Sequence, residues 1–348
     1  METDLIKDYI TSFQEKKMPS MVPRELKIAK MKGKAITIIG PRRAGKTYFF
    51  FNLIKELERN KVLYLDFEEL FLKDLKGKDL LRIVLEIFPE IVGNQPEHIF
   101  LDEIQNVKNW EGLVRTLLGR GFNVYITGSS SKLLSREIAT QLRGRTLSYL
   151  LLPFNFREFL LANRRKYNLN TLLDRGKVKR DLTEYLRFGG FPEIVMGGNK
   201  EKLIKEYSEL AFFKDFIERH SLRSLTLARY LFENILQNYS NEISIRALGR
   251  KAHSSGLHFD IMTLYKYVES LEDTLIFFFL KKLSEKAHVR ETWPRKLYLC
   301  DTGLTLKLKF SQDKGKLMEN VVFLELLRKI NERPLVDLYY WKDINREK

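Results

Sequence analysis

The sequence predicts an α/β fold whose N-terminal part is a five-stranded parallel sheet, and three observations support this prediction. Five short apolar runs occur within the first 153 residues, with helical patterns between most of them. The first four runs end at Gly40, Asp66, Asp102 and Gly128, and the fifth ends at Pro153. A glycine-containing turn joins the first run to a helical pattern. Such alternation is typical of a parallel sheet covered by helices on both faces.

The elements of this first part are predicted in order along the chain. A charged leader extends to about residue 33 and reads as helical, with interruptions at Pro19 and Pro23. The polar residues at the strand ends should gather at one edge of the sheet, where parallel α/β folds bind ligands. The five predicted strands are 35–39, 62–65, 98–101, 124–127 and 147–152.

The rest of the chain is predicted to form three further parts. Residues 154–226 lack strand alternation and read as an all-helical lid that follows the 1–153 core. Residues 227–295 contain three helical stretches and then the apolar strand 275–280, which is the order of a winged helix. Residues 296–348 mix strand, helix and strand, and read as the start of another α/β unit.

Composition restricts the classes of partner and compartment. The 348 residues include 61 Lys and Arg against 45 Asp and Glu, a net charge of +16. This balance favours anionic partners such as nucleic acid, although charge-rich surfaces also occur in proteins from hot environments. A lone cysteine, Cys300, excludes an intrachain disulfide and fits a reducing cytoplasm. No apolar run is long enough to span a membrane, so a cytoplasmic location is expected.

The strongest motif follows the first predicted strand. It matches G-x-x-x-x-G-K-[ST] in full, the pattern of a P-loop that cradles the phosphates of a nucleotide such as ATP. Lys46 is expected to reach the β- and γ-phosphates, and the Thr47 hydroxyl to bind Mg²⁺. The motif reads Gly40, Pro41, Arg42, Arg43, Ala44, Gly45, Lys46 and Thr47.

Two carboxylates follow the third predicted strand. Asp102 and Glu103 come directly after the apolar run Ile99-Phe100-Leu101, which is the Walker B arrangement. Asp102 is expected to hold Mg²⁺ through its water shell, and Glu103 to orient and polarise the attacking water. Downstream of a complete P-loop, this pair predicts hydrolysis of the bound triphosphate.

Two further groups are candidates for the same site. Ser129, or next Ser130, follows the fourth strand and is expected to sense the γ-phosphate, although the segment also reads as a simple polar turn. Arg143 and Arg145 precede the fifth strand and are expected to stabilise transition-state charge, from the same chain or from a neighbour. The alternative for this pair is a solvated basic loop.

These motifs together resemble those of the archaeal and bacterial AAA+-type ATPases of the AAA_14 group, which carry a C-terminal domain of unknown function. The segments that carry the resemblance are GPRRAGKT, FLDEIQNVKNWEG, ITGSSSKLLSREIATQLRGRTLSYLLLPFNFREFL and FGGFPEI. The resemblance implies the strand order 5-1-4-3-2 and places Pro192 of the GGFP element near the adenine. The glycines and proline of GGFP also suit a helix-ending turn.

The C-terminal part shares the resemblance. Residues 263–273 resemble the family's winged-helix segment. From the helical spacing in 261–271, Ile261 and Tyr265 are expected in the core, and Lys266 and Tyr267 are expected outside. Glu319-Asn320 resembles the first acidic position of a restriction-nuclease-like unit. The family's later acidic-basic cluster has no counterpart before Lys348, which argues against nuclease activity.

Two classes of function remain open. In the first, the ATP state alters the affinity of the winged-helix region for DNA. The basic wing of that region would consist of Lys281, Lys282, Lys286, Arg290 and Arg295. In the second, a signal-transducing ATPase acts through contacts with a protein partner or as a homo-oligomer, without nucleic acid. Stimulation of ATP turnover by DNA distinguishes them.

Overall fold

The computed structural model describes residues 2–73, 75–131, 142–308, 313–333 and 335–342. The chain forms two compact units, one of Met1–Gly40 with Gly45–Leu151 and the other of Pro41–Ala44 with Leu152–Lys348. Within the described ranges, no helix combines the length and the apolar character needed to cross a bilayer.

The first unit is built on the parallel sheet that the sequence predicts. The spatial strand order is β2-β3-β4-β1-β5, which confirms the order implied by the family resemblance. All neighbouring strands are parallel. The strands are β1 (Ala35–Ile39), β2 (Val62–Asp66), β3 (His98–Asp102), β4 (Asn123–Gly128) and β5 (Thr146–Leu150).

Helices accompany this sheet, and apolar side chains fill the space between the layers. The ring of Phe50 packs edge-on against Phe100 with 5.1 Å between centroids, and Phe100 stacks on Tyr125 at 4.3 Å. The α-helices are α1 (Glu2–Glu15), α2 (Lys46–Ile54), α3 (Leu70–Lys73), α4 (Gly77–Arg82), α5 (Phe88–Val92) and α6 (Trp110–Gly119). A π-helical turn, Ile83–Ile87, joins α4 to α5.

The second unit begins with helices, in agreement with the all-helical stretch predicted after residue 153. A π-helical segment, Ala211–Glu218, continues the fourth of these helices. The helices are α7 (Phe156–Ala162), α8 (Leu172–Phe188), α9 (Pro192–Met196) and α10 (Lys200–Leu210).

Three helices and a small antiparallel sheet follow. The strand order in this sheet is β6-β8-β7, and a short helix lies between β7 and β8. The elements are α11 (Leu225–Gln237), β6 (Glu242–Ile243), α12 (Ile245–Ser254), α13 (Ile261–Asp273), β7 (Phe277–Leu280), α14 (Ala287–Thr292) and β8 (Arg295–Leu299).

Helix α13 presents a different face to the core from the one the sequence predicted. Ile261 and Tyr265, expected in the core, are 51% and 38% exposed, whereas Tyr267, expected outside, is buried. The Tyr267 hydroxyl accepts a hydrogen bond of 3.0 Å from the Ser224 backbone N–H. Because apolar residues recur at helical spacing on two adjacent stripes, the sequence pattern fitted both, and the stripe of Leu264, Tyr267 and Leu271 is the buried one.

A 3₁₀ helix (Thr302–Lys307) and helix α15 (Lys314–Glu332) follow the antiparallel sheet. The buried Asn320 side chain on α15 bonds both backbone polar groups of Leu299, at 2.8 and 2.9 Å. Glu319 accepts from the Tyr298 hydroxyl and pairs with Lys296. Both residues predicted as a first acidic position therefore have structural partners. Of the predicted final strand, the structure shows an isolated bridge between Tyr340 and Lys282.

Candidate nucleotide-binding site

The P-loop follows β1 directly, and its glycines meet two separate backbone requirements. A Cβ at Gly40 would lie 2.0 Å from the Leu151 carbonyl oxygen, so only glycine fits there. Gly45 has φ 93°, in the left-handed region that glycine tolerates, and precedes the first residue of α2. Helix α2 thus begins at Lys46 with its N-terminus at the loop, an arrangement that favours anionic groups.

The Lys46 side chain is buried and points back across the loop. Its ammonium donates to the Gly40 carbonyl oxygen at 3.2 Å and lies 3.2 Å from a Glu103 carboxylate oxygen. Two predicted site residues from distant motifs are therefore in direct contact. Lys46 is the cation expected to meet phosphate, and Glu103 is the carboxylate expected to orient water, so the structure brings the two predicted groups together.

Asp102 lies at the end of β3 in an almost fully buried position. It accepts hydrogen bonds from the Thr127 hydroxyl and, at 2.8 Å, from the Tyr64 hydroxyl. Burial raises the pKa of Asp102 above its ordinary value, hydrogen bonds from Thr127 and Thr47 oppose this shift, and the Glu103 charge adds to it. Burial and a neighbouring carboxylate thus disfavour the bare anion here, and a bound cation would relieve both.

Glu103 has an unusual backbone conformation. Its φ is 52°, which a non-glycine residue adopts rarely and at a cost of about 1 kcal/mol or more. Its N–H donates a hydrogen bond of 2.8 Å to the Thr127 hydroxyl, and its carboxylate accepts from the Gln105 side chain. Strain of this kind is often found where a side chain is aimed at a functional site.

The predicted sensor residues, Ser129 and Ser130, follow the strand β4, which pairs with the strand that carries Asp102. Ser129 is buried at the end of β4, and its hydroxyl lies 3.5 Å from the Gln105 amide nitrogen. Ser130 is buried as well. The same Gln105 amide that reaches Ser129 also donates to Glu103, so a side chain links the two predicted catalytic positions.

Three residues that hydrogen-bond Asp102 or Glu103 were not predicted from the sequence: Thr127, Tyr64 and Gln105. The signal for Thr127 was present, because it is a polar residue near the end of an apolar strand beside Walker B. Tyr64 lies in β2, which pairs with β3 in the sheet, so only the strand order reveals it. Gln105 lies two residues after Glu103 in an irregular turn.

Arg143 and Arg145 lie on the surface of the first unit. Both are exposed, and together with Arg115 they line an open cleft of about 470 Å³. Arg143 and Gly144 both have positive φ, 52° and 70°, which turns the chain sharply before β5. The structure brings the two predicted arginines together with a third from α6.

The tip of the P-loop, Pro41–Ala44, groups with the second unit. There, the Arg42 guanidinium lies 3.4 Å from a carboxylate oxygen of the buried Asp215, which also accepts from Arg219 at 2.6 Å. Arg43, with φ 67°, lies 3.5 Å from the Glu193 carboxylate. The two arginines of the motif thus have carboxylate partners on the helices of the second unit.

Pro192 begins helix α9, directly before Glu193. Its expected position beside the adenine stays a prediction, as does the assignment of every individual site residue. Thr47 and Asp102, the residues predicted to bind Mg²⁺, fit that ion because a hydroxyl and a carboxylate supply the oxygen ligands that it prefers. In the described part of the chain, no group of three or more His, Cys, Asp or Glu could hold a metal ion.

Comparison with known proteins supports two separate parts. A family model described as an AAA domain, AAA_14, matches residues 32–160, and one described as a domain of unknown function, DUF8612, matches residues 179–314. An uncharacterised protein, MJ1544, of Methanocaldococcus jannaschii is 36% identical over 322 residues, 90% of this chain and 71% of that protein. An uncharacterised protein of Haemophilus influenzae is 26% identical over 303 residues, 84% of this chain and 74% of that protein.

Among solved structures, the similarity is low. The crystal structure of Cdc6p from Pyrobaculum aerophilum aligns with 83% of this chain and 88% of that chain. The sequence identity is 13% and the TM-score is 0.31. A likeness of this size does not relate the two proteins in function.

Proposed function

Because the chain belongs to the AAA_14 family of AAA-type ATPases and carries a separate C-terminal domain of unknown function, we propose that it binds ATP with Mg²⁺ and hydrolyses the triphosphate. The observation that carries this proposal is the contact between Lys46 and Glu103, with an N–O distance of 3.2 Å. It joins the phosphate-binding lysine of one motif to the water-orienting carboxylate of the other.

Each residue has a distinct role in this proposal. The P-loop, residues 40–47, binds the phosphates through backbone N–H groups and the Lys46 ammonium. Glu103 orients and polarises the attacking water, and Ser129 contacts the γ-phosphate or that water. Thr47 and Asp102 would hold Mg²⁺, which supplies positive charge that stabilises the developing negative charge on the phosphate oxygens.

Binding and turnover of ATP by purified wild type and Lys46→Ala test this function. Calorimetric titration with MgATP and measurement of phosphate release give the two quantities separately. Wild type should bind and hydrolyse MgATP, and a folded Lys46→Ala variant should have lost binding, turnover or both. Normal affinity and turnover in that variant would contradict the proposal.

We further propose that residues 227–295 form a winged helix that binds DNA under the control of the nucleotide state. The support is the succession of α11, β6, α12, α13, β7, α14 and β8 with the strand order β6-β8-β7. That arrangement suits a helix-turn-helix flanked by a wing. The net charge of +16 provides attraction to a polyanion.

One observation favours a second candidate, a signal-transducing ATPase that acts through a protein partner. The exposed N-terminal turn of α13 carries Ile261 and Met262, 51% and 73% exposed, with Tyr265 one turn later. Apolar and aromatic side chains are typical of the centre of a protein interface. If duplex DNA leaves ATP turnover unchanged and does not bind at low salt, this second candidate is the better one.

A further inference from the structure

Helix α12 (Ile245–Ser254) has two faces of opposite character. Leu248, Gly249 and Ala252 are buried against the rest of the unit. Arg246, Arg250, Lys251 and His253 are exposed on the other side. The sequence from residue 244 to residue 259 contains no acidic residue. The helix therefore presents a positively charged surface without local neutralisation; we call Arg246, Arg250 and Lys251 the α12 basic face.

Ion pairs among the described residues do not neutralise the α12 basic face either. Across the ranges that the structure describes, no carboxylate pairs with Arg246, Arg250 or Lys251. Other arginines of this unit do have such partners: Arg219 pairs with Asp215 at 2.6 Å, and Arg328 with Glu325 at 2.7 Å. Three cations on two helical turns repel one another unless a polyanion is close.

Packing holds this helix firmly. The Ser244 hydroxyl caps its N-terminus by accepting from the Ala247 N–H at 3.3 Å. A Cβ at Gly249 would lie 2.6 Å from a Leu264 methyl carbon, so the glycine allows α12 to approach α13 closely. The ring of His253 stacks on Phe259 with 4.1 Å between centroids. The α12 basic face therefore belongs to a helix that is held in place by capping and packing.

The wing that the sequence favoured as the DNA surface is less suitable. Lys282 is buried, with its ammonium 3.9 Å from the centre of the Trp293 ring. Arg290 donates to the backbone carbonyl oxygens of residues 284 and 285. Arg295 lies 3.7 Å from the Glu272 carboxylate. Lys282, Arg290 and Arg295, which were expected to contact phosphates, therefore already have intramolecular partners.

We propose that the α12 basic face is the surface that contacts the DNA phosphate backbone. This inference rests on the DNA-binding part of the proposed function. Arginine and lysine contacts to phosphate carry no sequence information, so binding through this face is expected to be largely independent of DNA sequence. Each contact releases counterion, so affinity falls with salt by a log–log slope of about 0.9 per contact.

The test uses the full chain and a fluorescent duplex of random sequence, with anisotropy measured over a series of salt concentrations. The triple variant Arg246→Ala, Arg250→Ala, Lys251→Ala should bind at least about tenfold more weakly, and its salt slope should fall by about 2.7. The matched control Lys179→Ala, Lys202→Ala, Lys205→Ala removes the same charge from exposed sites of other helices and should keep wild-type affinity. A double variant, Lys281→Ala with Lys286→Ala, measures how much the wing contributes to DNA affinity.

The outcomes separate this inference from the function on which it rests. Basal ATP turnover of the α12 variant should equal that of wild type, which shows that the chain is folded. If wild type binds DNA and the α12 variant binds equally well, the inference is overturned and DNA binding stands. If the control variant at Lys179, Lys202 and Lys205 weakens binding as much as the α12 variant, DNA responds to overall charge rather than to this face. The inference is then also overturned. If wild type does not bind DNA at low salt, both the α12 inference and the proposed DNA binding are contradicted.

Discussion

The backbone N–H of Gly190 donates a hydrogen bond of 2.6 Å to the buried carboxylate of Asp301, which lies 111 residues further along the chain. The other Asp301 oxygen accepts from the Gly303 N–H at 2.8 Å. Gly189, with φ 77°, passes so close that a Cβ there would lie 1.7 Å from Asp301 Oδ1. The carboxylate thus fixes the turn that leads into Pro192.

Gly189→Ala should destabilise the protein strongly. The new methyl group would occupy the space of the Asp301 carboxylate, and alanine is strained at positive φ. Together these effects are expected to lower the free energy of unfolding by roughly 2–4 kcal/mol. Urea unfolding measures the change. Gly198→Ala is the control, because a Cβ at Gly198 meets nothing within 4 Å, and a loss for Gly189→Ala no larger than for this control would contradict the packing.

Asp301 should also make stability depend on pH. Burial raises the pKa of Asp301 from 3.8 to about 7. Between about pH 4 and pH 7 the folded state keeps a proton that the unfolded chain has released, so stability falls as the pH rises through this window. The full effect is on the order of 4 kcal/mol. Above pH 7 both states are ionised and the effect is constant.

Comparison with Asp301→Asn isolates this effect, since asparagine does not titrate. The variant loses one acceptor and is expected to be less stable than wild type at pH 5. The free-energy gap between the two proteins should narrow as the pH rises to 8, because only wild type loses the contribution of Asp301. Unfolding curves at several pH values give the gap, and parallel pH profiles would show that Asp301 does not titrate in this range.

These contacts show which parts of the molecule the sequence reveals. The strands and both nucleotide motifs were predictable because an apolar run and the polar residue that follows it are local signals. The role of Asp301 was not, since nothing near it in sequence indicates that it meets Gly190. The buried face of α13 was predicted wrongly at Ile261 and Tyr265, because two helical stripes there have similar apolar character and only the packing of neighbouring elements selects one.

Glu103→Gln should keep MgATP binding and lose turnover. Glutamine preserves the size of the side chain and can still lie beside Lys46, but it cannot polarise water as a carboxylate does. The expected loss of rate is ~10²–10⁴-fold. Phosphate release and calorimetric titration measure the two properties. Glu69→Gln, at an exposed site, serves as the control, and wild-type turnover by Glu103→Gln would mean that another group orients the water.

Thr127 is expected to position both carboxylates of the site. Its hydroxyl accepts from the Glu103 N–H and donates to Asp102. Thr127→Val keeps the shape but leaves a buried N–H unsatisfied, which costs about 1–3 kcal/mol, and should slow turnover with little change in the KM for ATP. Thr127→Ser retains the hydroxyl and should restore turnover. If serine fails to restore it, the methyl group matters rather than the hydrogen bonds.

Arg143 and Arg145 offer a test of whether turnover needs a second copy of the chain. Both are exposed on the first unit, and within the described ranges no carboxylate pairs with either of them. An arginine that stabilises transition-state charge should lower turnover when changed to Ala while sparing ATP affinity, by up to roughly 10³-fold. Arg120→Ala, another exposed arginine, is the control.

A second experiment tests whether the arginine acts across subunits. If it does, the specific activity of wild type should rise with protein concentration. An excess of Lys46→Ala subunits should then restore turnover to Arg143→Ala or Arg145→Ala, because each mixed interface supplies the missing guanidinium. Unchanged turnover in both single variants would leave these residues as a solvated basic turn, and activity independent of concentration would place the acting arginine within its own chain.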